Sequence, residues 1–137
     1  FLKLMVRSLP VYRHHAVDVV IDGAPASFPE EALTGIVTNG RYVANGIDLS
    51  HESSVMDGVF EFLFVAKALP LRYLLGVFPL FSGNIESLSF VRRVPFKELE
   101  LKPRRPAQKI RVDFDGEVWG FLPARVRVLP GQLKILR

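Results

Sequence analysis

Along most of the chain, apolar and polar residues alternate with the period of two that marks half-buried strands. The stretch "AVDVVIDGAPASF" (16–28) reads as a strand turning at Asp22-Gly23, and "EALTGIVTNGRYV" (31–43) is β-rich and punctuated by Asn39-Gly40. "MDGVFEFLFVA" (56–66) places another Asp-Gly pair before a nearly continuous, strongly β-forming apolar run. Further strands are predicted at 87–94, 96–101, 108–114, 117–121, 124–129 and 132–136, with Pro103, Pro106, Pro123 and Pro130 between them. A helical period occurs in two places. The opening "FLKLMVRSLP" carries Leu2, Met5, Val6 and Leu9 on one stripe, and "PLRYLLGVF" (70–78) carries Leu71, Leu74, Leu75 and Phe78 behind Pro70 at a first helical position. Many short strands joined by turn chemistry predict a mainly β chain, an antiparallel β-sandwich or flattened barrel with one or two short helices.

The sharpest local signal is "KIRVDFDGEVWGF" (109–121), two alternating runs around an Asp-Gly pair that predicts a tight hairpin. A two-residue turn at Asp115-Gly116 sets Phe114 opposite Glu117, Val112 opposite Trp119 and Ile110 opposite Phe121. Glu117 then shares one face with Ile110, Val112, Phe114, Trp119 and Phe121. Burial against Phe114 and Trp119 would disfavour the ionised carboxylate and suit it to general-base work. The plainer reading is a glutamate that reaches water at the hairpin mouth, and a one-residue slip in register would reverse the face.

Composition narrows the class of protein. The chain has 137 residues, 49% of them hydrophobic and 23% charged, as in ordinary globular domains, and one domain of this length can bury a real core. It contains no cysteine, which excludes disulfides and thiolate metal sites. Its formal charge of +4 favours polyanions without choosing among nucleotide phosphates, anionic lipid and nucleic acid. No apolar run reaches the roughly 18–20 residues that cross a bilayer, and the opening segment lacks the pattern of a signal peptide. It also lacks an initiator Met and starts within a helical stripe, so the chain is expected to be part of a longer protein.

Other chemistry is sparse. There is no phosphate-cradling Gly-rich loop, no G-x-S-x-G elbow and no His pair at helical metal spacing. His14 and His15 are adjacent and diverge in either a strand or a helix, which favours a surface role, and His51 is isolated. Asp57 either opens a turn or offers a carboxylate to a hard cation such as magnesium, with carbonyls and waters completing the shell. "NGRYVANG" (39–46) reads as a loop, and "KPRRPAQK" (102–109) as a basic turn able to meet phosphate or lipid headgroups. The apolar segment 69–81 reads as a core helix in preference to an entry for an acyl chain.

Taken together and in order, two stretches resemble a known family. "TNGRYVANGIDLSHESSVMDGVFEFLFV" (38–65) and "VDFDGEVWGFLPARVRVLPGQLKIL" (112–136) are similar to segments of the bacterial diacylglycerol kinase and sphingosine kinase-type lipid kinases. The similarity extends over essentially the whole chain. It implies a two-lobed enzyme related in fold to NAD kinases, with an amino-terminal lobe that binds ATP and a β-rich second lobe. Residues 1–12 would form the linking helix from the amino-terminal lobe, and residues 13–137 the carboxy-terminal lobe. The resemblance makes Glu117 the acceptor of the lipid hydroxyl proton. It implies a structural or regulatory Mg2+ on the Asp57 carboxylate and the backbone carbonyls of Ser54 and Val59. The chain departs from the family pattern at "VANG" (43–46), His51 and Met56, which bears on the metal more than on Glu117.

The expected function is therefore phosphorylation of a lipid hydroxyl, on diacylglycerol or a similar lipid, by a longer chain. ATP would be held mainly by the other lobe, and this lobe alone would be inactive. The expected setting is cytoplasmic, compatible with peripheral membrane contact and with a homodimer, and without nucleic acid as partner. The alternative is a non-catalytic β-rich module that binds anionic lipid or nucleic acid through "KPRRPAQK" and "FVRR" (90–93).

Overall fold

The computed structural model of the chain describes residues 13–28, 31–43, 47–48, 54–76, 79 and 82–132. The helix expected over 1–12 lies outside them, as does all but Gln132 of the strand expected over 132–136. In chain order the strands are β1 (Val17–Ile21), β2 (Ala24–Ala26), β3 (Ala32–Thr38), β4 (Tyr42–Val43), β5 (Ile47–Asp48), β6 (Phe60–Ala66), β7 (Val91–Phe96), β8 (Glu98–Pro103), β9 (Arg111–Phe114), β10 (Glu117–Phe121) and β11 (Ala124–Arg127). A short helix α1 (Pro70–Leu75) and a 3-10 turn (Ile85–Ser87) lie between β6 and β7.

All strand pairings are antiparallel. One sheet has the order β11-β8-β1-β2 and the other β3-β6-β7, while β9-β10 and β4-β5 are separate hairpins. The two larger sheets enclose a common core. Val19 of β1 and Leu99 of β8 pack with Phe62, Phe64 and Ala66 of β6 and with Phe96 of β7, and Phe28 stacks on Phe64 at 4.5 Å. The mainly β, antiparallel sandwich expected from the pattern is the fold observed.

The strand β6 explains its unbroken apolar run. Its second face carries Leu63 and Val65, which pack with Tyr73 of α1, Ile85 of the 3-10 turn and Val91. A strand covered on both sides has no solvent face on which to place polar residues, so alternation disappears. Its one acid, Glu61, is buried and has Arg93 of β7 at 3.7 Å.

α1 departs from the expected core helix. Its N-terminal Pro70 is where spacing placed it, yet the buried side chain is Tyr73, while Leu71 and Leu75 are 64% and 61% exposed. The cause is the cover that β6 requires. The Tyr73 hydroxyl reaches past the helix to donate to the Ala66 carbonyl at 3.0 Å and to accept from the Ala68 amide at 2.7 Å. That anchor fixes which side of the helix faces inward. The helix ends at Gly76, where a Cβ would stand 3.1 Å from the Phe90 ring.

Candidate functional site

Asp115 and Gly116 take φ angles of 48° and 88°, the left-handed pair that a tight hairpin turn demands. The turn sets Glu117 opposite Phe114 as expected, and Val118 opposite Asp113. Beyond that the register shifts. Gly120 pairs with Val112 and Phe121 with Arg111, so Trp119 is the extra residue of a β-bulge. Gly120, at φ 153°, supplies a backbone conformation that other residues rarely adopt. The expected pairings of Val112 with Trp119 and of Ile110 with Phe121 are thereby corrected. Phe121 moves to the face of Arg111, and Lys109 lies over its ring at 5.9 Å. The face of Glu117 keeps Phe114 and Trp119, whose rings are 5.6 Å apart.

Burial is the second correction. Glu117 is exposed, and so are Phe114 at 61% and Trp119 at 77%. The greasy enclosure expected around Glu117 is not built by this chain's described residues. What the hairpin presents instead is a carboxylate on an open aromatic face. Val118 and Phe121 on its other face are 62% and 55% exposed. Neither Asp115 nor Glu117 has an ion pair or side-chain hydrogen bond among the described residues.

The three residues expected around a cation share one loop. Asp57 accepts from the Val59 amide through Oδ1 at 3.0 Å and from the Ser54 amide through Oδ2 at 3.3 Å. The Asp57 amide in turn faces the Ser54 carbonyl at 3.5 Å, and Ser54 Oγ accepts from the Met56 amide at 3.2 Å. These bonds account for the turn, and each carboxylate oxygen retains a second lone pair. The exposed Asp57 carboxylate and the nearby Ser54 carbonyl are oxygen donors of the kind a hard cation of the magnesium class takes, while Val59 meets Asp57 through its amide. No group of three or more acidic, His or Cys side chains stands together among the described residues, so waters would have to supply most of the shell. Gly40 packs against this loop, since a Cβ there would lie 3.0 Å from Val55 Cγ1. His51 lies outside the described residues, as does most of "VANG", while Met56 is exposed. No hydrogen bond or ion pair joins the Asp57 loop to Glu117 among the described residues.

Other charged groups are drawn into structure. Lys102 pairs with Glu100 at 3.1 Å and Arg104 with Asp18 at 3.0 Å, which leaves Arg105 and Lys109 as the cations of the basic loop without an ion pair among the described residues, Lys109 lying over the Phe121 ring. The two histidines diverge as adjacent residues of an extended chain must. They are half-buried, not at the surface as expected: His14 approaches the Tyr73 hydroxyl at 3.3 Å, and His15 meets the Gln108 amide at 2.6 Å. Partial burial, followed by the charge of Lys67, lowers the His14 pKa. The bulge at Trp119 has a sequence signal after all, a glycine inside an otherwise alternating strand. No helix among the described residues is long and apolar enough to cross a membrane.

Solved structures share this architecture. One, of a protein provisionally named a diacylglycerol kinase from Bacillus anthracis str. Sterne, superposes with a TM-score of 0.68 at 19% identity, covering 93% of this chain and 40% of that one. Another, of a diacylglycerol kinase from the same strain, gives a TM-score of 0.63 at 18% identity, covering 93% of this chain and 44% of that one. The chain thus spans about two fifths of the length of the structures it matches. No curated protein matches it at a significant level. The family model described as the YegS C-terminal NAD kinase beta sandwich-like domain matches residues 1–137. Over its whole length, in sequence and in its two packed antiparallel sheets, the chain belongs to the family of YegS C-terminal, NAD kinase β-sandwich-like domains.

Proposed function

We propose that this domain is the carboxy-terminal lobe of an ATP-dependent lipid kinase that phosphorylates a hydroxyl of diacylglycerol or a similar lipid, with Glu117 as the proton acceptor. The observation that carries the reading is the open face of the β9-β10 hairpin. A tight turn fixes an unpartnered carboxylate beside Phe114 and Trp119, and nothing described in this chain covers them. Large aromatic surfaces left in water at the end of a well-packed sandwich suit a cleft wall that a second lobe closes. Closure would give Glu117 the apolar surroundings this lobe does not.

In that cleft the Glu117 carboxylate takes the proton of the lipid hydroxyl as the hydroxyl oxygen bonds to the γ-phosphorus of ATP and the bond from that phosphorus to its bridging oxygen breaks, so that ADP leaves. Proton removal of this kind contributes about 10²–10⁴-fold in rate, and positioning supplies much of the rest. ATP would provide the phosphoryl group from the other lobe. A Mg2+ on Asp57, with the carbonyls of Ser54 and Val59, would brace the loop before β6. Proteins that share the fold carry the name diacylglycerol kinase, which supports this reaction class.

The test is Glu117→Gln in the full-length polypeptide. Because the side chain is exposed, the unfolding free energy should stay within ~0.5 kcal/mol of wild type. Lipid phosphorylation should fall by about 10²–10⁴-fold. Turnover equal to wild type would remove Glu117 from the chemistry.

A further inference from the structure

The β9-β10 hairpin leaves the sandwich between two neighbouring strands. β8 runs out into residues 104–110, and the chain returns through 122–123 into β11, which pairs with β8. Neither core cluster holds a residue of 104–123, and the ribbon pairs only with itself. The Leu122 amide donates to the Ile110 carbonyl at 2.9 Å, so the two arms close on each other before they reach the sheets. A two-stranded ribbon is marginal alone, and where Glu117 stands depends on how the ribbon's root is held.

The outbound arm is held along residues 15–18. The Arg104 amide donates to the Ala16 carbonyl at 3.0 Å, and the Arg104 guanidinium pairs with Asp18 in the open, their side chains 45% and 59% exposed. An ion pair that wet contributes little. Gln108 is different. In a loop whose residues 104–107 and 109 are exposed, it turns inward, and its side-chain amide meets His15 Nδ1 at 2.6 Å. The other end of that amide, Oε1, is buried without a hydrogen-bond partner among the described residues. A surface loop would ordinarily turn such a group to water, because a buried unsatisfied acceptor is costly. The His15 contact holds it in. His15 is itself fixed, exchanging two backbone hydrogen bonds with Ala32 at 2.8 Å each, which ties it to the first residue of β3.

We propose that Gln108 and His15 are positioning residues for the phosphoryl transfer: their contact fastens the root of the β9-β10 hairpin to the sandwich and so sets where the Glu117 carboxylate stands in the cleft. This role rests on the reading of Glu117 as proton acceptor and adds the device that aims it. Gln108 lies three residues ahead of Arg111, where β9 begins, and acts through the backbone of that strand.

The test uses the full-length polypeptide with ATP and diacylglycerol, with amide hydrogen exchange measured beside the kinetics. In Gln108→Ala, kcat should fall about tenfold, within the ~10²-fold that a displacement of about 1 Å can cost, with KM for ATP unchanged. Amides of 110–121 should exchange about fivefold faster or more, while those of β6 keep the wild-type rate. Gln108→Glu, whose carboxylate can accept from His15 Nδ1–H, should bring both readouts back to within about threefold of wild type. His15→Ala should match Gln108→Ala, and the double variant should be no slower than either, as for one shared contact. In a Glu117→Gln background, Gln108→Ala should cost less than about twofold, since no proton acceptor is left to aim. Wild-type kcat or wild-type exchange at 110–121 in Gln108→Ala would overturn the proposal. So would a Gln108→Glu variant as slow as the alanine one, or an undiminished loss in the Glu117→Gln background. Wild-type turnover of Glu117→Gln alone would instead overturn the proton-acceptor reading, and the exchange rates would still decide whether His15 and Gln108 hold the hairpin.

Discussion

Asp22 and Asp115 open the same kind of turn, each at a positive φ followed by a left-handed glycine, yet their surroundings differ in a way that separates structure from function. Asp22 Oδ1 accepts from the amides of Lys97 and Glu98 at 2.9 and 2.8 Å, fastening the turn to the start of β8. Those two backbone hydrogen bonds lower its pKa, the Glu98 amide being the larger cause. A carboxyl with a depressed folded pKa contributes stability that is complete above the unfolded value of about 4 and is lost as pH falls through the folded one. At neutral pH, Asp22→Asn should therefore be less stable than wild type and Asp22→Ala less stable still. The gap between wild type and Asp22→Asn should close below pH ~4 in urea titrations. A gap that stays constant to acid would remove charge from the explanation. Glu117, by contrast, spends its carboxylate on nothing described in this chain. Sequence identified it as unusual through its alternation with aromatics. It could not show the open face, because which residues are buried depends on what packs over a sheet and not on the period within it.

At the level of elements, strands were legible wherever one face was wet. The hairpin turns at Asp22-Gly23 and Asp115-Gly116 and the existence of β6 follow from local turn chemistry and β-forming apolarity, whereas the order of strands in the sheets and the double cover of β6 emerge only from the packing. The helix was misread in its orientation. Spacing selects Leu71, Leu74 and Leu75 as the inward stripe, but one aromatic with a polar tip outweighs them. Tyr73 packs its ring edge-on to Phe90 at 5.3 Å, while its hydroxyl satisfies two backbone groups that would otherwise be stranded beside β6. Tyr73→Phe should cost about 1–3 kcal/mol in denaturant unfolding, because it leaves the Ala66 carbonyl and the Ala68 amide without that partner. Leu71→Ala, in the same helix, should cost less than ~1 kcal/mol given its exposure. The reverse ranking would show that the leucine stripe faces inward after all.

For the molecule as a whole, the decisive asymmetry lies between a sandwich that closes on itself and a hairpin that does not. The sheets β11-β8-β1-β2 and β3-β6-β7 share one core, whereas β9-β10 pairs only with itself and leaves four large apolar side chains in water. An isolated two-stranded ribbon is marginal in water, so the hairpin depends on its turn and on whatever covers it. Trp119 distinguishes the alternatives. It is the one tryptophan in the sequence and sits on the bulge at 77% exposure. If its ring waits for a second lobe, Trp119→Ser in this chain should change the unfolding free energy by less than ~0.5 kcal/mol, as for a surface position. The same substitution in the full-length polypeptide should raise KM for the lipid or lower its turnover. Native tryptophan fluorescence of this chain should also be quenched by acrylamide nearly as readily as that of an unfolded peptide. A loss of about 3–5 kcal/mol, the cost of emptying a packed aromatic site, would instead mean that the ring is already covered within this lobe. The open face, and with it the cleft to which Glu117 is assigned, would then have to be abandoned.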